Sequence, residues 1–308
     1  MVSQLLELYL KLGSGVLLGW ILGRCLPQHL PNQLGKFLFY IGVPFGIIAF
    51  IRRADLSGNI WFAPIVAWSA IALGAFLSWV WINLPFHGRP PKKIAKGSFL
   101  LTSMFGNTGY LGYPIILAMV GEKYFGWAVF YDLLGTTLGG YGLGAILGSC
   151  FGSSAVSPLP RNLFLPILTN PPLWGFLAGL GLRQFSFPAA IESSLQTLGW
   201  VVIGLSLVLM GMRLSQLTSW RNIPVASVSL AIKMLLVPLT LGLLISGLNL
   251  APGAQNVMIL EMAMPPAFAT LVISETYELD YELTVTAVAA GSMGLLAMLP
   301  FWLLLLGN

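Results

Sequence analysis

Three ionisable residues stand inside long apolar runs: Asp132 in AVFYDLLGTTLGGYGLG, Lys233 in LAIKMLLVPLTLG and Glu261 in VMILEMAMPPAFATLVISETY. A charge at that depth is costly and calls for a use, such as coupling to H+ or Na+, attraction of an anion, or pairing with another charge. Two apolar runs carry helix breakers, one of them the run that holds Glu261. SMFGNTGYLGYPIILAMV, residues 103–120, holds Gly106, Asn107, Thr108, Gly109, Gly112 and Pro114; the run around Glu261 holds Met264, Pro265 and Pro266. Three glycines and a proline cost a helix about 6 kcal/mol by propensity. In lipid each unpaired backbone group adds to that cost, so such a segment can unwind only where protein or trapped water covers it.

An unwound helix can do chemistry. The N-terminal end of a half-helix carries about half a positive charge and free N–H groups that bind carboxylates or phosphates. Asn107 and Thr108 add neutral donors and acceptors, so an anion can be held without an intramembrane cation. The expected substrate-binding set is Asn107, Thr108, Gly109, Pro114, Met264, Pro265 and Pro266, with Asp132, Lys233 and Glu261 as candidates for coupling or charge pairing. The glycine spacing of three also fits close helix packing, although packing alone does not call for Asn107 or the prolines. Asp132 could instead be solvated near the outer interface, or anchor the fourth span by hydrogen bonds. For Glu261, protonation and a structural pair with Lys233 both stay open. Glu7 and Lys11, spaced i, i+4, read as a structural pair, and the acidic stretch ETYELDYE (275–282) reads as a solvated loop.

Elements that position such residues follow from composition. Of 308 residues 57% are hydrophobic and 8% charged, and mean hydropathy is +0.86. A soluble domain carries roughly 25% charged residues, so the chain reads as an integral, multi-pass membrane protein. The net charge of +5 is explained by membrane topology, with no nucleic-acid partner expected. Two cysteines, Cys25 and Cys150, are too few for a disulfide framework. His29 and His87 fall in loops without metal-ligand spacing, so neither a metal nor another cofactor is expected. No catalytic constellation and no phosphate-binding GxxxxGK[ST] loop appears, so an enzyme is not expected. An intramembrane lipid-modifying enzyme or an anion channel is the alternative to a carrier.

Ten runs are long enough to be spans, near 4–23, 36–51, 60–84, 97–120, 124–150, 162–182, 189–212, 222–248, 254–274 and 283–306. The first lacks a basic leader and a small-residue cleavage site, and reads as a span. With both termini outside, inner loops hold nine basic residues (Arg24, Lys36, Arg89, Lys92, Lys93, Lys96, Arg161, Arg213, Arg221). Outer loops then hold four (Arg52, Arg53, Lys123, Arg183). That asymmetry favours this orientation, with the plasma (inner) membrane as the expected location. Splitting at a short cytoplasmic linker (152–161) gives 1–151 and 162–308, five spans each. An odd number makes the second half enter from the opposite side, an inverted repeat, and paired breaks in the fourth and ninth spans are the pointer to a transporter's site. The fold class expected is therefore an all-α membrane protein of ten transmembrane helices, two inverted five-helix repeats with crossing broken helices.

Several motifs, in order, carry a resemblance: GNTGYLGYP in the fourth span, NPPLWGFLAGLGL (170–182) in the sixth, IKMLLVPL (232–239) in the eighth, and MPPAFATLVISETYELD followed by TAVAAGSMGLLAMLP at the end. Over nearly its whole length the chain resembles the auxin efflux carrier family, which includes plant auxin exporters and bacterial organic-acid permeases. The short linker resembles the compact microbial or intracellular branch. The resemblance implies a fold similar to sodium/proton antiporters and bile-acid symporters, with a scaffold (spans 1, 2, 6, 7), a transport domain (spans 3–5, 8–10) and elevator-like motion. It maps the family's crossing prolines onto Pro114 and Pro265, and its substrate-contacting asparagine onto Asn107. The implied function is a permease for a small organic anion, carboxylate or auxin-like weak acid. Its partners are that anion and the lipid bilayer; a homodimer is left open.

Overall fold

A computed structural model of the chain describes residues 9–84, 92–153, 165–216 and 222–306. Glu7, the Lys11 side chain, His87, Arg89, Arg161, Arg221 and most of the linker at 152–161 lie outside the described residues. Among those described, the secondary structure is helical apart from one isolated bridge. That is what lipid selects, because a helix satisfies its backbone within one segment.

In chain order the helices are α1 (9–25), α2 (Leu30–Ile51), α3 (Phe62–Asn83), α4 (Lys93–Met104), α5 (Thr108–Met119), α6 (Glu122–Phe151), α7 (Leu165–Leu168), α8 (Pro171–Leu182), α9 (Ala189–Gln216), α10 (Ile223–Ser246), α11 (Pro252–Met262), α12 (Ala269–Thr276) and α13 (Tyr281–Leu306). Six of them, α2, α3, α6, α9, α10 and α13, are long and apolar enough to cross a membrane. The remaining four apolar runs are covered differently. The first is the shorter α1, and the fourth, sixth and ninth are each divided, into α4 and α5, α7 and α8, and α11 and α12. Large apolar side chains such as Phe45, Trp61, Trp79, Trp174 and Leu243 are exposed, as they must be where the solvent is hydrocarbon. The protein is an integral, multi-pass membrane protein.

Helix packing sorts the elements into two groups. In one, α1 lies along α9, and α2 packs on α8 and α9. The seam between α1 and α9 is made by Gly15, Gly19 and Gly23, a small-residue stripe of the kind that lets helices approach closely in lipid. A Cβ on Gly19 would overlap the Val208 carbonyl, and one on Gly211 the Val16 carbonyl. At one end of this group two arginines exchange caps. Arg52, just after α2, donates to the Leu182 carbonyl that ends α8 and pairs with Glu192; Arg183, just after α8, donates to the carbonyls of Ile51 and Ala54. Each cation thus stabilises the negative end of the other's helix. In the other group α3 packs on α4, α10 on α11 and α13, and α11 on the first turns of α6. The groups meet where α9 passes the start of α5 and where α2 passes the start of α6.

Prolines shape three helices in the same way. A wide π-turn spans 38–42 before Pro44, 108–112 before Pro114, and 232–236 before Pro238. Proline lacks an N–H and its ring clashes with the turn before it. Widening that turn absorbs both defects without ending the helix.

Candidate functional site

The two expected breaks are present, and they meet. Helix α4 stops at Met104 and α5 starts at Thr108; α11 stops at Met262 and α12 starts at Ala269. The two extended pieces between them run antiparallel as a single pair, Gly106 opposite Pro266. Asn107 N–H donates to the Pro265 carbonyl (2.7 Å) and Ala267 N–H to the Phe105 carbonyl (3.0 Å). These two bonds flank the Gly106–Pro266 pair and leave that pair without a mutual hydrogen bond. Such a pair brings its Cα atoms closer than a bonded one, which favours glycine at 106. The nitrogen at position 266 points away from the partner strand, so proline there forfeits no ladder bond.

Pro114 corrects the expectation drawn from the resemblance. It does not sit at the break, which lies seven residues earlier, but inside the continuous helix α5, buried behind the π-turn at 108–112. Its lost N–H is absorbed by that turn, so it shapes α5 and the residue opposite the Pro265–Pro266 stretch is Gly106. Asn107, Met264, Pro265 and Pro266 do stand at the crossing, all buried. The Asn107 side chain reaches across the group boundary to the Met210 sulfur of α9 (3.8 Å). Thr108 and Gly109 open α5, where the chain before them is extended and supplies no helical acceptor to the first N–H groups. At the start of α12, by contrast, Phe268 is already helical and the Thr270 and Leu271 N–H groups donate to the Ala267 and Phe268 carbonyls (3.0 Å each).

Each glycine of GNTGYLG faces one of the three ionisable residues. A Cβ on Gly106 would sit 3.0 Å from Lys233 Cε, one on Gly109 would sit 3.2 Å from Asp132 Oδ2, and one on Gly112 would overlap the Glu261 carboxylate. Gly106 thus serves the break, while Gly109 and Gly112 lie inside α5. All three clear space for charged side chains, and Gly106 for the opposing backbone as well, its Cβ position lying 3.3 Å from the Met264 carbonyl oxygen.

The ionisable residues differ in how they are held. Asp132 is buried and accepts hydrogen bonds from Thr108 Oγ1, Tyr113 Oη (2.8 Å) and Thr137 Oγ1 (3.4 Å). It is thus the anchor of α5 rather than a solvated interfacial acid, and the Thr108 hydroxyl proton is used on it instead of facing a ligand. Lys233 is 2% exposed and donates to the Met262 carbonyl (2.9 Å), the last of α11. It makes no ion pair with Glu261, so of the two readings left open for Glu261 the direct pair is not formed. Glu261 is 0% exposed and neither carboxylate oxygen has a hydrogen-bond partner. Asp132 opens a π-turn at 132–137 and Lys233 lies in the one at 232–236; π-turns recur at functional sites.

Arg213 is the residue that sequence reasoning misplaced. Read as a loop cation, it instead belongs to the last turn of α9, which runs on to Gln216. Its guanidinium lies over the rings of Phe268, the residue before α12, and Tyr110 on α5, at 4.9 and 5.9 Å. A Cβ on Gly35 would crowd it at 2.7 Å. The signal available in sequence was its spacing from Met210, which puts both on one helix face.

ETYELDYE is only partly a solvated loop. Glu275, Glu278 and Glu282 are exposed, but Tyr277 and Leu279 are buried, and Asp280 caps α13 by accepting from Leu283 N–H (3.0 Å). Among the described residues no three His, Cys, Asp or Glu side chains converge as a metal site would require. Cys25 and Cys150 are free and exposed.

Comparison with known proteins agrees with a membrane carrier. The chain is 27% identical over 297 residues to an uncharacterized transporter of Methanothermobacter thermautotrophicus, covering 93% of each chain. It is equally similar, 27% over 297 residues, to an uncharacterized transporter of Methanocaldococcus jannaschii, covering 93% of this chain and 94% of that one. The family model described as "Membrane transport protein" matches residues 4–146 and 159–303. Since those two segments take in nearly the whole sequence, the chain belongs to this membrane transport family, the family of the auxin efflux carriers.

Proposed function

We propose that the protein is a secondary transporter that moves a small organic anion, a carboxylate or auxin-like weak acid, by alternating access. In this reading the ten apolar runs are ten spans in two inverted five-helix repeats. The helices α1, α2, α7, α8 and α9 are the scaffold, past which the remainder slides as an elevator. The observation that carries it is the antiparallel meeting of the two helix breaks in the buried interior. It sets the N-terminal ends of α5 and α12 at the two ends of one short antiparallel pair, α5 starting beside the end of α11 and α12 beside α4, with the Asn107 amide directed to α9. Two positive helix ends and a neutral amide favour a carboxylate. Arg213, over the entrance residues of both half-helices, adds a cation on the scaffold side.

The orientation proposed is both termini outside, in the plasma membrane. Two of the four basic residues on the outer side, Arg52 and Arg183, have a helix-capping role, so the excess of basic residues on the other side is the stronger topological signal.

The test is a screen of labelled mono- and dicarboxylates in proteoliposomes holding the purified protein, with and without pH and sodium gradients. Saturable uptake with counter-transport is expected for at least one acid. In Asn107→Ala, loss of one hydrogen bond to a charged ligand should raise KM about 10- to 100-fold while the protein stays folded in the membrane. Unchanged transport by that variant removes Asn107 from the site, and unitary currents in place of saturable flux would make the protein a channel.

A further inference from the structure

We infer that Glu261 is a proton-binding site that couples this carrier to the pH gradient, an inference that rests on the transport reading above for its role though not for its chemistry. Glu261 lies in the last turn of α11, one residue before the helix ends at the crossing. It is wholly buried, and both carboxylate oxygens lack any hydrogen-bond donor. An ionised carboxylate in that setting would forfeit its hydration and receive nothing in exchange, which costs far more than neutralising it.

The neighbourhood offers one partial means of neutralisation, the charge of Lys233, which makes no direct ion pair with the carboxylate. Lys233 is the nearest cation, yet its ammonium is directed to the Met262 carbonyl. Asp132 is engaged with three hydroxyls, Thr108, Tyr113 and Thr137. The ionisable groups that act on Glu261 from the helices packed around it are thus Lys233 on α10, Asp132 and Tyr131 on α6, and Tyr113 on α5, and none donates to it. Two acids and one lysine share this space, and a proton on Glu261 leaves Asp132 and Lys233 balanced.

Placement makes the proton a coupling proton rather than a fixed one. The carboxyl group is fitted against Gly112 of α5, where even a methyl group would displace it. It therefore stands on the contact between the two broken spans, beside the ligand-facing ends. When the crossing moves to one face of the membrane, water reaching this contact can take the proton from the carboxyl O–H; the reverse step re-forms that bond on the other face. The only bond made or broken is O–H, with water as acceptor and donor.

The experiment needs no knowledge of the substrate for its first part. Infrared spectra of the wild-type protein in nanodiscs at neutral pH should contain the C=O band of a buried protonated carboxyl group. Glu261→Gln should remove it and Asp132→Asn should leave it. A band that is missing in the wild type, that survives Glu261→Gln, or that appears only when sodium is replaced by a large organic cation overturns the proposal, the last because the site would then hold a metal cation. In proteoliposomes carrying a trapped pH dye, an imposed pH gradient should accelerate wild-type uptake of indole-3-acetate or succinate at least fivefold. Glu261→Gln should exchange the same acid with no response to the gradient. Wild-type uptake indifferent to the gradient also overturns it. If neither acid moves and the wider carboxylate screen fails too, the transport reading falls, while the infrared band still decides whether Glu261 holds a proton.

Discussion

The two breaks at the crossing reach one geometry by different chemistry. At 105–107 the chain is opened by removing side chains and adding polar ones: Gly106 lets the opposing strand approach, and Asn107 supplies both a strand bond and an amide facing α9. At 263–268 it is opened by removing donors. Pro265 and Pro266 carry no N–H, so the segment has fewer groups to satisfy, and its freed carbonyls are taken by Asn107 N–H and by Lys233. The first break therefore offers donors that an anion can use, while the second offers mainly carbonyls, of which Pro265 O is taken by Asn107 N–H. For the carrier proposed above, the difference favours ligand contact at the first break.

The most damaging way to break this arrangement is to move a proline by one position. Ala267→Pro removes the N–H that donates to Phe105 O, one of the two bonds that pair the segments. Lost bonding and ring clash should cost about 3 kcal/mol or more, seen as a lower unfolding temperature in nanodiscs and loss of any transport. If this variant is as stable as the wild type, the two segments are not paired as described.

A pair of charge deletions comes next, and asks which break is held more firmly. Asp132→Leu leaves the hydroxyls of Thr108 and Tyr113 without their acceptor, for about 3 kcal/mol. Lys233→Met strands a single carbonyl, Met262 O, for about 2 kcal/mol. Thermal unfolding of the two variants side by side should rank Asp132→Leu as the worse. The opposite ranking would mean that Lys233 balances more charge than its one hydrogen bond shows, as it would if Glu261 were ionised.

Much of this was legible in the sequence, for reasons that particular residues make plain. The apolar runs mark the helices because lipid permits little else, and GNTGYLG and MPP mark the breaks because glycine and proline act through the backbone of their own segment. What each glycine faces was not legible. Gly106, Gly109 and Gly112 suit close helix packing in sequence, and only the placement of Lys233, Asp132 and Glu261 shows that they clear room for charges. Pro114 misled because a proline inside a helix can be absorbed by a π-turn, a choice made by tertiary packing that propensity does not record. Arg213 misled because the apolar run ends before it while the helix does not. A cation near a span end looks the same whether it meets water or two aromatic rings.

The smallest effect tests the finest detail of the comparison. Pro266→Ala restores an N–H at the position that lies opposite Gly106 and makes no bond to it. The chain there is already fixed by the bonds on either side, so the stiffening of the unfolded chain is worth about 1 kcal/mol or less; the ring also packs beside Gly291 of α13, where a Cβ would sit 2.9 Å from Pro266 Cδ. The new donor points away from Gly106, and its cost depends on whether water lies on that side. A variant within about 1 kcal/mol of the wild type that still transports would place water, or the ligand, against position 266. A loss of about 3 kcal/mol would mean that the new N–H is buried without a partner. Proline at 266 would then be required by a dry wall, and the ligand would be confined to the Asn107 side of the crossing.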